Sequence, residues 1–241
     1  IRAGLAIMAG TILVVAFYDR VMRWLTAPYV DLCVRRGPEF CGLPADADPH
    51  DVSLVILDPI EGFATRLKVS FYGGIILALP VVLWQLWKFV VPALHKHERR
   101  YAVSFVMSTV VLFAAGGYVA YWSLDKALEF LIDWAGDGIN PTFQVQAYVR
   151  LVTLMVAAFG IGFTIPVLLV FLQMLGVVRP ATLLGAWRYA IVLTVLIAAM
   201  ITPSGDPISL AALAVPMTVL YFVAILIGWL FQRRRARADA S

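Results

Sequence analysis

Long apolar runs separated by short polar segments form the dominant pattern of this chain. A helix needs about 20 mostly apolar residues to cross the hydrocarbon core of a bilayer, which is about 30 Å thick. Runs of this kind predict six membrane-spanning helices, at about 3–22, 63–93, 101–122, 147–172, 187–201 and 208–231. We therefore expect an all-α integral membrane protein in which residues 1–241 form a single membrane domain.

The fifth predicted span is short, and the sixth follows it almost at once. Residues 187–201 number about 15, which corresponds to about 22 Å at the helical rise and falls short of the hydrocarbon core. Only the segment around Thr202-Pro203 and Pro207 separates this span from the next. We expect spans five and six to form a short hairpin.

Charged residues are divided unevenly between the predicted loops, which indicates the orientation. Acidic residues outnumber basic ones from Asp31 to Asp58, and segment 125–137 carries four acids beside the lone base Lys126. Arg and Lys are concentrated in the other connections and after span six, and loops rich in these residues remain in the cytoplasm. Both termini are therefore expected inside, with a long first extracytoplasmic loop.

Composition agrees with a membrane protein and excludes other classes. Hydrophobic residues make up 62% of the chain and charged residues 14%, against roughly half and a quarter in soluble domains. The net charge of +4 comes mainly from basic residues at the ends of apolar runs, where such residues set topology. We therefore expect no binding of nucleic acid.

The first apolar run resembles a secretory signal peptide, but no small-x-small cleavage site follows it. Tyr18, Asp19 and Arg20 follow instead, so we expect an uncleaved span. Because Ile1 is not a methionine, we also expect the natural start to precede it.

Two cysteines, Cys33 and Cys41, lie in the first extracytoplasmic loop. That side of the membrane is oxidising, so a disulfide between them is one outcome, and two free thiols are the other. The sequence leaves both open.

Side chains suited to catalysis are few. No serine elbow or Gly-rich phosphate loop accompanies the three histidines, and His95, His97 and Glu98 lack the spacing of a zinc site. Thr164 and the other hydroxyl residues within the spans can bond their own helix backbone. We expect no enzymatic activity, no metal and no cofactor.

The connection between spans two and three places one carboxylate, Glu98, in the basic string His95-Lys96-His97-Glu98-Arg99-Arg100. Arginine and carboxylate form strong, directional bidentate pairs, so Glu98 can receive a guanidinium from a partner. On the residues alone an alternative stays open, in which Glu98 caps span three and pairs with Arg99 or Arg100.

Three motifs, in order and spacing from about Asp58 to the end of the chain, give a specific resemblance. They are Pro80-x4-Gln85-x-Trp87-x-Phe89 followed by the string to Arg100; Phe159-Gly160-Ile161-Gly162-Phe163 before Ile165-Pro166-Val167; and Thr202-Pro203 with Asp206 and Ser209 ahead of Ala214-Val215-Pro216. The chain thus resembles the TatC family, the multi-pass receptor subunit of the twin-arginine protein translocase.

The resemblance implies a receptor in the bacterial cytoplasmic (inner) membrane. It would bind the twin-arginine signal peptides of folded cargo, recruit the single-span TatA and TatB subunits into a multimeric complex, and use the proton-motive force. Carried over position by position, the signal-peptide site comprises Phe89, Pro92, Lys96, Glu98, Arg99 and Arg100. Partner docking would involve Gln85, Thr164 and Asp206.

Two positions depart from the family pattern. Thr164 stands where the family typically has an acidic or amide residue, and Phe222 where a glutamate is frequent. Both changes remove polarity from the membrane, so Thr164 can offer a partner helix only a hydroxyl.

Two other classes of protein compete with a receptor. A small-molecule transporter would require a polar pocket at mid-membrane and internal repeats, and the sequence shows neither. A purely structural membrane scaffold stays open on physical grounds.

Overall fold

The computed structural model describes residues 2–44, 46–48, 50, 54–90, 102–136, 143–201 and 207–238, and this part of the chain is almost entirely helical. The elements are α1 (Arg2–Ala16), α2 (Tyr18–Arg36), a short 3-10 helix (Pro38–Cys41), α3 (Pro59–Val90), α4 (Ala102–Ala135), α5 (Val145–Met174), α6 (Pro180–Gly185), α7 (Trp187–Ile201) and α8 (Pro207–Ala238). A parallel bridge between Val55 and Gln144 is the single isolated β contact among these residues.

Among the described residues, four helices are long and apolar enough to cross a membrane. They contain the stretches Pro59–Gln85, Phe105–Ala135, Val145–Met174 and Pro207–Arg233. Helices α1 and α2 form a bent pair with 78° between them, which gives a fifth candidate if the pair is one span. Helix α7 is apolar but shorter, and its bounds are those predicted for span five. The all-α membrane fold predicted from the apolar runs is therefore confirmed, while four to five helices of sufficient length are found among the described residues where six spans were predicted.

The first predicted span is bent, and the first part of the long loop predicted to follow it is helical, so the prediction is wrong in this region. The chain turns sharply at Phe17, and α2 then continues as a helix through Pro28 to Arg36. A proline inside a helix cannot donate to the carbonyl four residues earlier. Here the hydroxyl of Tyr121 donates to that carbonyl, on Trp24, at 3.0 Å.

A second tyrosine supports the same turn of α2. The hydroxyl of Tyr148 donates to the carbonyl of Leu25 at 2.7 Å, and the rings of Trp24 and Tyr121 stack with centroids 4.5 Å apart. The side chain of Tyr148 is buried. These contacts from α4 and α5 explain why Pro28 does not end the helix.

Helix α4 also extends beyond its predicted end at residue 122, so three of the four acids predicted to lie in a loop are helical. The fourth, Asp137, lies outside the described residues. Asp125, Glu129 and Asp133 are spaced by four and therefore lie on one face of α4. Arg35 pairs with Asp125, and Arg36 pairs with Asp133 at 2.9 Å and with Glu129 at 3.6 Å. Tertiary ion pairs stabilise a segment whose polarity resembles that of a loop.

Two further differences concern the end of the chain. The six-residue helix α6 was not predicted, and α8 continues past its predicted end at residue 231 to Ala238. The arginines that follow Gln232 thus begin as a helical extension of α8.

The chain divides into two compact units. The first comprises Ile1–Ala102 with Tyr121–Leu154, and the second Val103–Ala120 with Met155–Ser241. In the first unit α1 crosses α3 at Gly10 and Gly74, where a Cβ on Gly10 would lie 2.8 Å from the Gly74 carbonyl oxygen. Glycine at the crossing lets the two backbones approach closely.

In the second unit α4 and α5 pack at an equally close crossing. A Cβ on Gly116 would lie 2.5 Å from the carbonyl oxygen of Phe159, whereas one on Gly117 would make an ordinary contact of 3.8 Å with Val156. Of these two adjacent glycines, Gly116 is therefore the one at the crossing.

Candidate functional site

The predicted signal-peptide site falls mainly on the connection between α3 and α4. Pro92, Lys96, Glu98, Arg99 and Arg100 lie outside the described residues, and so does Asp206 of the proposed docking set. Phe89 belongs to the last turn of α3, which ends at Val90, and α4 begins at Ala102. The two long helices therefore flank the motif on either side.

The end of α3 carries polar groups toward this connection. Gln85 is half-buried, and the ammonium of Lys88 lies 5.9 Å from the ring centroid of Trp84. A cation in the last turn of a helix is favoured by the helix dipole, and one above an indole ring is favoured by the ring quadrupole. This end of α3 is thus basic and aromatic, as residues near a membrane surface often are.

Thr164 lies half-buried on α5 and bonds its own helix. Its Oγ1 donates to the carbonyl of Gly160 at 2.9 Å, so its proton is already used. Gly160 in turn is covered by the ring of Phe113, which a Cβ there would approach to 2.5 Å. Phe222, the second departure from the family pattern, is 39% exposed on α8.

A buried amide that the sequence analysis missed joins α5 to α8. The Nε2 of Gln173 donates to the carbonyls of Leu169 and Ala224 at 3.2 and 3.1 Å. Its Oε1 lies against Gly228, where a Cβ would overlap it, and has no hydrogen-bond partner among the described residues. The sequence signal was an amide near the end of an apolar run. That Gly228 would face this amide could not be predicted from the sequence.

Glu61 is a second buried polar residue that the sequence analysis missed, and its role is to cap helices. The carboxylate is buried, and its Oε2 accepts from the backbone N–H groups of Leu57 and Asp58 at 2.9 and 3.4 Å. Its Oε1 accepts from the N–H of Gln146 at 2.9 Å. One side chain thus caps the first turns of both α3 and α5. The spacing Asp58-x-x-Glu61 was the local signal.

Cys33 and Cys41 form a disulfide, which is one of the two states that the sequence left open. Both are buried, and the bond closes the turn that carries the chain from α2 into the 3-10 helix. The guanidinium of Arg36 lies 4.6 Å from the ring centroid of Phe40 within this turn. The disulfide therefore stabilises the segment that presents Arg35 and Arg36 to α4.

Within the described ranges no three His, Cys, Asp or Glu side chains are grouped so that they could hold a metal ion. The buried polar groups cap helices, bridge helices or bond a neighbouring backbone. Together with the four long apolar helices among the described residues, this arrangement defines a class, the helical integral membrane proteins.

Comparison with known proteins specifies the class further. Residues 1–216 match the family described as Sec-independent protein translocase protein (TatC). The chain is 38% identical over 239 residues to the TatC protein of Frankia casuarinae, and 37% identical over 198 residues to that of Koribacter versatilis. These alignments cover 98% and 81% of this chain. They cover 65% of the Frankia protein and 73% of the Koribacter protein, so this chain spans about two thirds to three quarters of those relatives.

Solved structures agree. Two crystal structures titled twin arginine translocase receptor TatC superpose with TM-scores of 0.70 and 0.74, at 32% and 31% identity. The matches cover 95% and 94% of this chain, and 93% and 94% of those chains. The chain belongs to the TatC family of Sec-independent protein translocase proteins, which confirms the resemblance drawn from its motifs.

Proposed function

We propose that this protein is the receptor subunit of a twin-arginine translocase. It binds the signal peptides of folded proteins, recruits TatA- and TatB-type single-span subunits, and supports export driven by the proton-motive force across the bacterial cytoplasmic membrane. The observation that carries this proposal is the family match over residues 1–216, which includes the hairpin motif.

The proposed recognition is electrostatic and directional. Glu98 is the one carboxylate in the sequence between Val91 and Tyr101, where His95, Lys96, His97, Arg99 and Arg100 are basic. A guanidinium of the signal peptide pairs with it bidentately, which an ammonium cannot do. Phe89 and Pro92 contribute apolar contact beside this pair, while the neighbouring bases repel a second, wrongly placed cation.

The proposed topology has six spans and both termini in the cytoplasm, within a single membrane domain. The bent pair α1 and α2 supplies the first span and the short α7 the fifth. With this count the α3–α4 connection faces the cytoplasm, where export signals arrive. The Cys33–Cys41 disulfide and the Arg–Asp pairs between α2 and α4 then lie on the oxidising side, as a disulfide requires.

Partner docking is proposed at Gln85, Thr164 and Asp206. Gln85 retains a half-buried amide that can both donate and accept. Thr164 has committed its proton to Gly160 and can only accept from a partner. We therefore assign Gln85 the larger part in holding a partner helix.

Export of a folded reporter tests the proposed function. In bacterial cells that lack their own TatC, this chain is expected to restore export of a reporter with a twin-arginine signal and not of its twin-lysine version, because lysine cannot form the bidentate pair. Reporter outside the cytoplasm is measured alongside the amount of receptor in the membrane. Equal export of both reporters, or of neither while the receptor accumulates normally, would contradict the proposal.

A further inference from the structure

In the second unit, the first residue of α7 lies beside the middle of α8 and not beside its C-terminal end. The hydroxyl of Tyr221 on α8 donates to the carbonyl of Leu183 on α6 at 2.6 Å, and α7 begins four residues after Leu183. Residue numbers along the α7–α8 hairpin also place the beginning of α7 near Tyr221. Helices α7 and α8 are in contact and are joined by residues 202–206, so they run antiparallel. Trp187 lies 14 residues before the end of α7 and Tyr221 lies 14 residues after the beginning of α8, so the two residues are at similar heights.

Helices α5 and α8 of the same unit continue past this level. Gln173, at the end of α5, bonds the carbonyl of Ala224 and lies against Gly228. Gly228 is seven residues beyond Tyr221, or about 10 Å at the helical rise. From Pro207 to Gly228 α8 covers about 32 Å, which is close to the thickness of a hydrocarbon core.

Just beyond Gly228, an aromatic and basic pair on α8 is typical of a membrane surface. The guanidinium of Arg233 lies 3.4 Å from the ring centroid of Trp229. Tryptophan and arginine are enriched together at the boundary between lipid and water. Trp229 is eight residues beyond Tyr221, so the beginning of α7 lies about 12 Å from that boundary toward the interior of the bilayer.

Charge is nevertheless present at the recessed end of α7. Arg188 lies in the first turn of α7, exposed, with its guanidinium 5.5 Å from the ring centroid of Trp187. Arg179, also exposed, immediately precedes α6. The sequence has no acidic residue between Met174 and Ile201, and neither arginine forms an ion pair with a described residue. A guanidinium at this depth is costly without an anion beside it, and the described part of the chain supplies none to either arginine.

We propose that this corner, the α7 recess formed by Leu184, Trp187 and Arg188 where α6 meets α7, binds the phosphate of an anionic phospholipid and draws that lipid inward, with Arg179 ahead of α6 as a second source of positive charge. Guanidinium groups bind phosphate oxygens bidentately. Leu184 is 54% and Trp187 41% exposed, so apolar surface lies beside Arg188 and can contact acyl chains. A phospholipid offers both kinds of group, whereas free phosphate or an acidic peptide offers only the charge. The inference requires a membrane-embedded chain and does not depend on signal binding.

Lipid retention by the full chain tests this inference. The protein is placed in nanodiscs of equal phosphatidylglycerol and phosphatidylcholine, released, and weighed with its bound lipids by native mass spectrometry. We expect phosphatidylglycerol to be enriched about threefold or more among retained lipids, and Arg188→Gln to abolish the enrichment. Arg188→Lys should keep an intermediate enrichment, because it retains the charge and loses the bidentate geometry.

The matched control is Arg150→Gln, which removes one exposed arginine near the other end of α5 and should leave the enrichment unchanged. Millimolar inorganic phosphate should not displace the retained lipid. Wild-type enrichment in Arg188→Gln, an equal loss in Arg150→Gln, or displacement by inorganic phosphate would each overturn the proposal. If Arg188→Gln does not fold, Arg179→Gln and Arg188→Lys decide the outcome by the same measurement.

Discussion

Replacing Glu98 with alanine is expected to weaken capture of a twin-arginine signal peptide by about 10- to 100-fold, the effect of losing one charge-assisted hydrogen-bonded pair. The residues around Glu98 are basic, so no neighbouring carboxylate between Val91 and Tyr101 can replace it. Capture is measured by crosslinking from a photoreactive residue placed beside the two signal arginines.

Two controls separate recognition from folding in this experiment. Glu98→Asp keeps the carboxylate and should recover most of the crosslinking, and Glu98→Ala should remain in the membrane after carbonate extraction. Undiminished crosslinking by membrane-inserted Glu98→Ala would remove this residue from the site and support the alternative in which it only caps span three.

A methyl group at Gly116 is expected to destabilise the fold by about 1–3 kcal/mol, as overpacking at a tight contact generally does. The added Cβ would meet the carbonyl oxygen and carbon of Phe159 at 2.5 and 2.8 Å. These are backbone atoms of α5, which cannot rotate away as a side chain could. Unfolding in detergent, followed by loss of helical signal with added denaturant, measures the free-energy difference.

The adjacent glycine provides a matched control. Gly117→Ala meets only the Cγ1 of Val156, at 3.8 Å, and should leave stability nearly unchanged. If Gly116→Ala proves as stable as Gly117→Ala, the close approach of α4 and α5 is not present in the protein.

What the sequence predicted well depends on apolar length alone. The bounds of α7 agree because an uninterrupted apolar run lies between Arg188 and Thr202, and no partner is needed to recognise it. The hydrophobic parts of α3, α5 and α8 were located for the same reason. Lipid replaces a specific protein partner along most of such helices, so local composition carries the information.

What the sequence could not predict depends on contacts between distant residues. Helix α2 survives Pro28 because tyrosines 97 and 123 residues away bond the carbonyls of Trp24 and Leu25. The polar half of α4 is helical because Arg35 and Arg36 meet its acids. In both cases the local sequence indicated a loop, and tertiary contacts stabilise a helix there instead.

The candidate site shows the same division. The hairpin motif could be recognised because its residues are consecutive, and Glu98 is singled out by the basic side chains around it. Gln173 and Glu61 escaped notice because their partners on other helices, Ala224 and Gln146, lie 51 and 85 residues away in sequence. A polar residue in an apolar run can be recognised in the sequence, but its hydrogen-bond partner on another helix cannot.

The central claim is that this chain itself distinguishes two arginines from two lysines. It is tested most directly by the affinity of the purified full-length protein for a labelled signal peptide in its twin-arginine and twin-lysine forms. We predict about tenfold or tighter binding of the twin-arginine form, because only guanidinium groups pair bidentately with a carboxylate. Equal affinity for the two peptides would contradict the account.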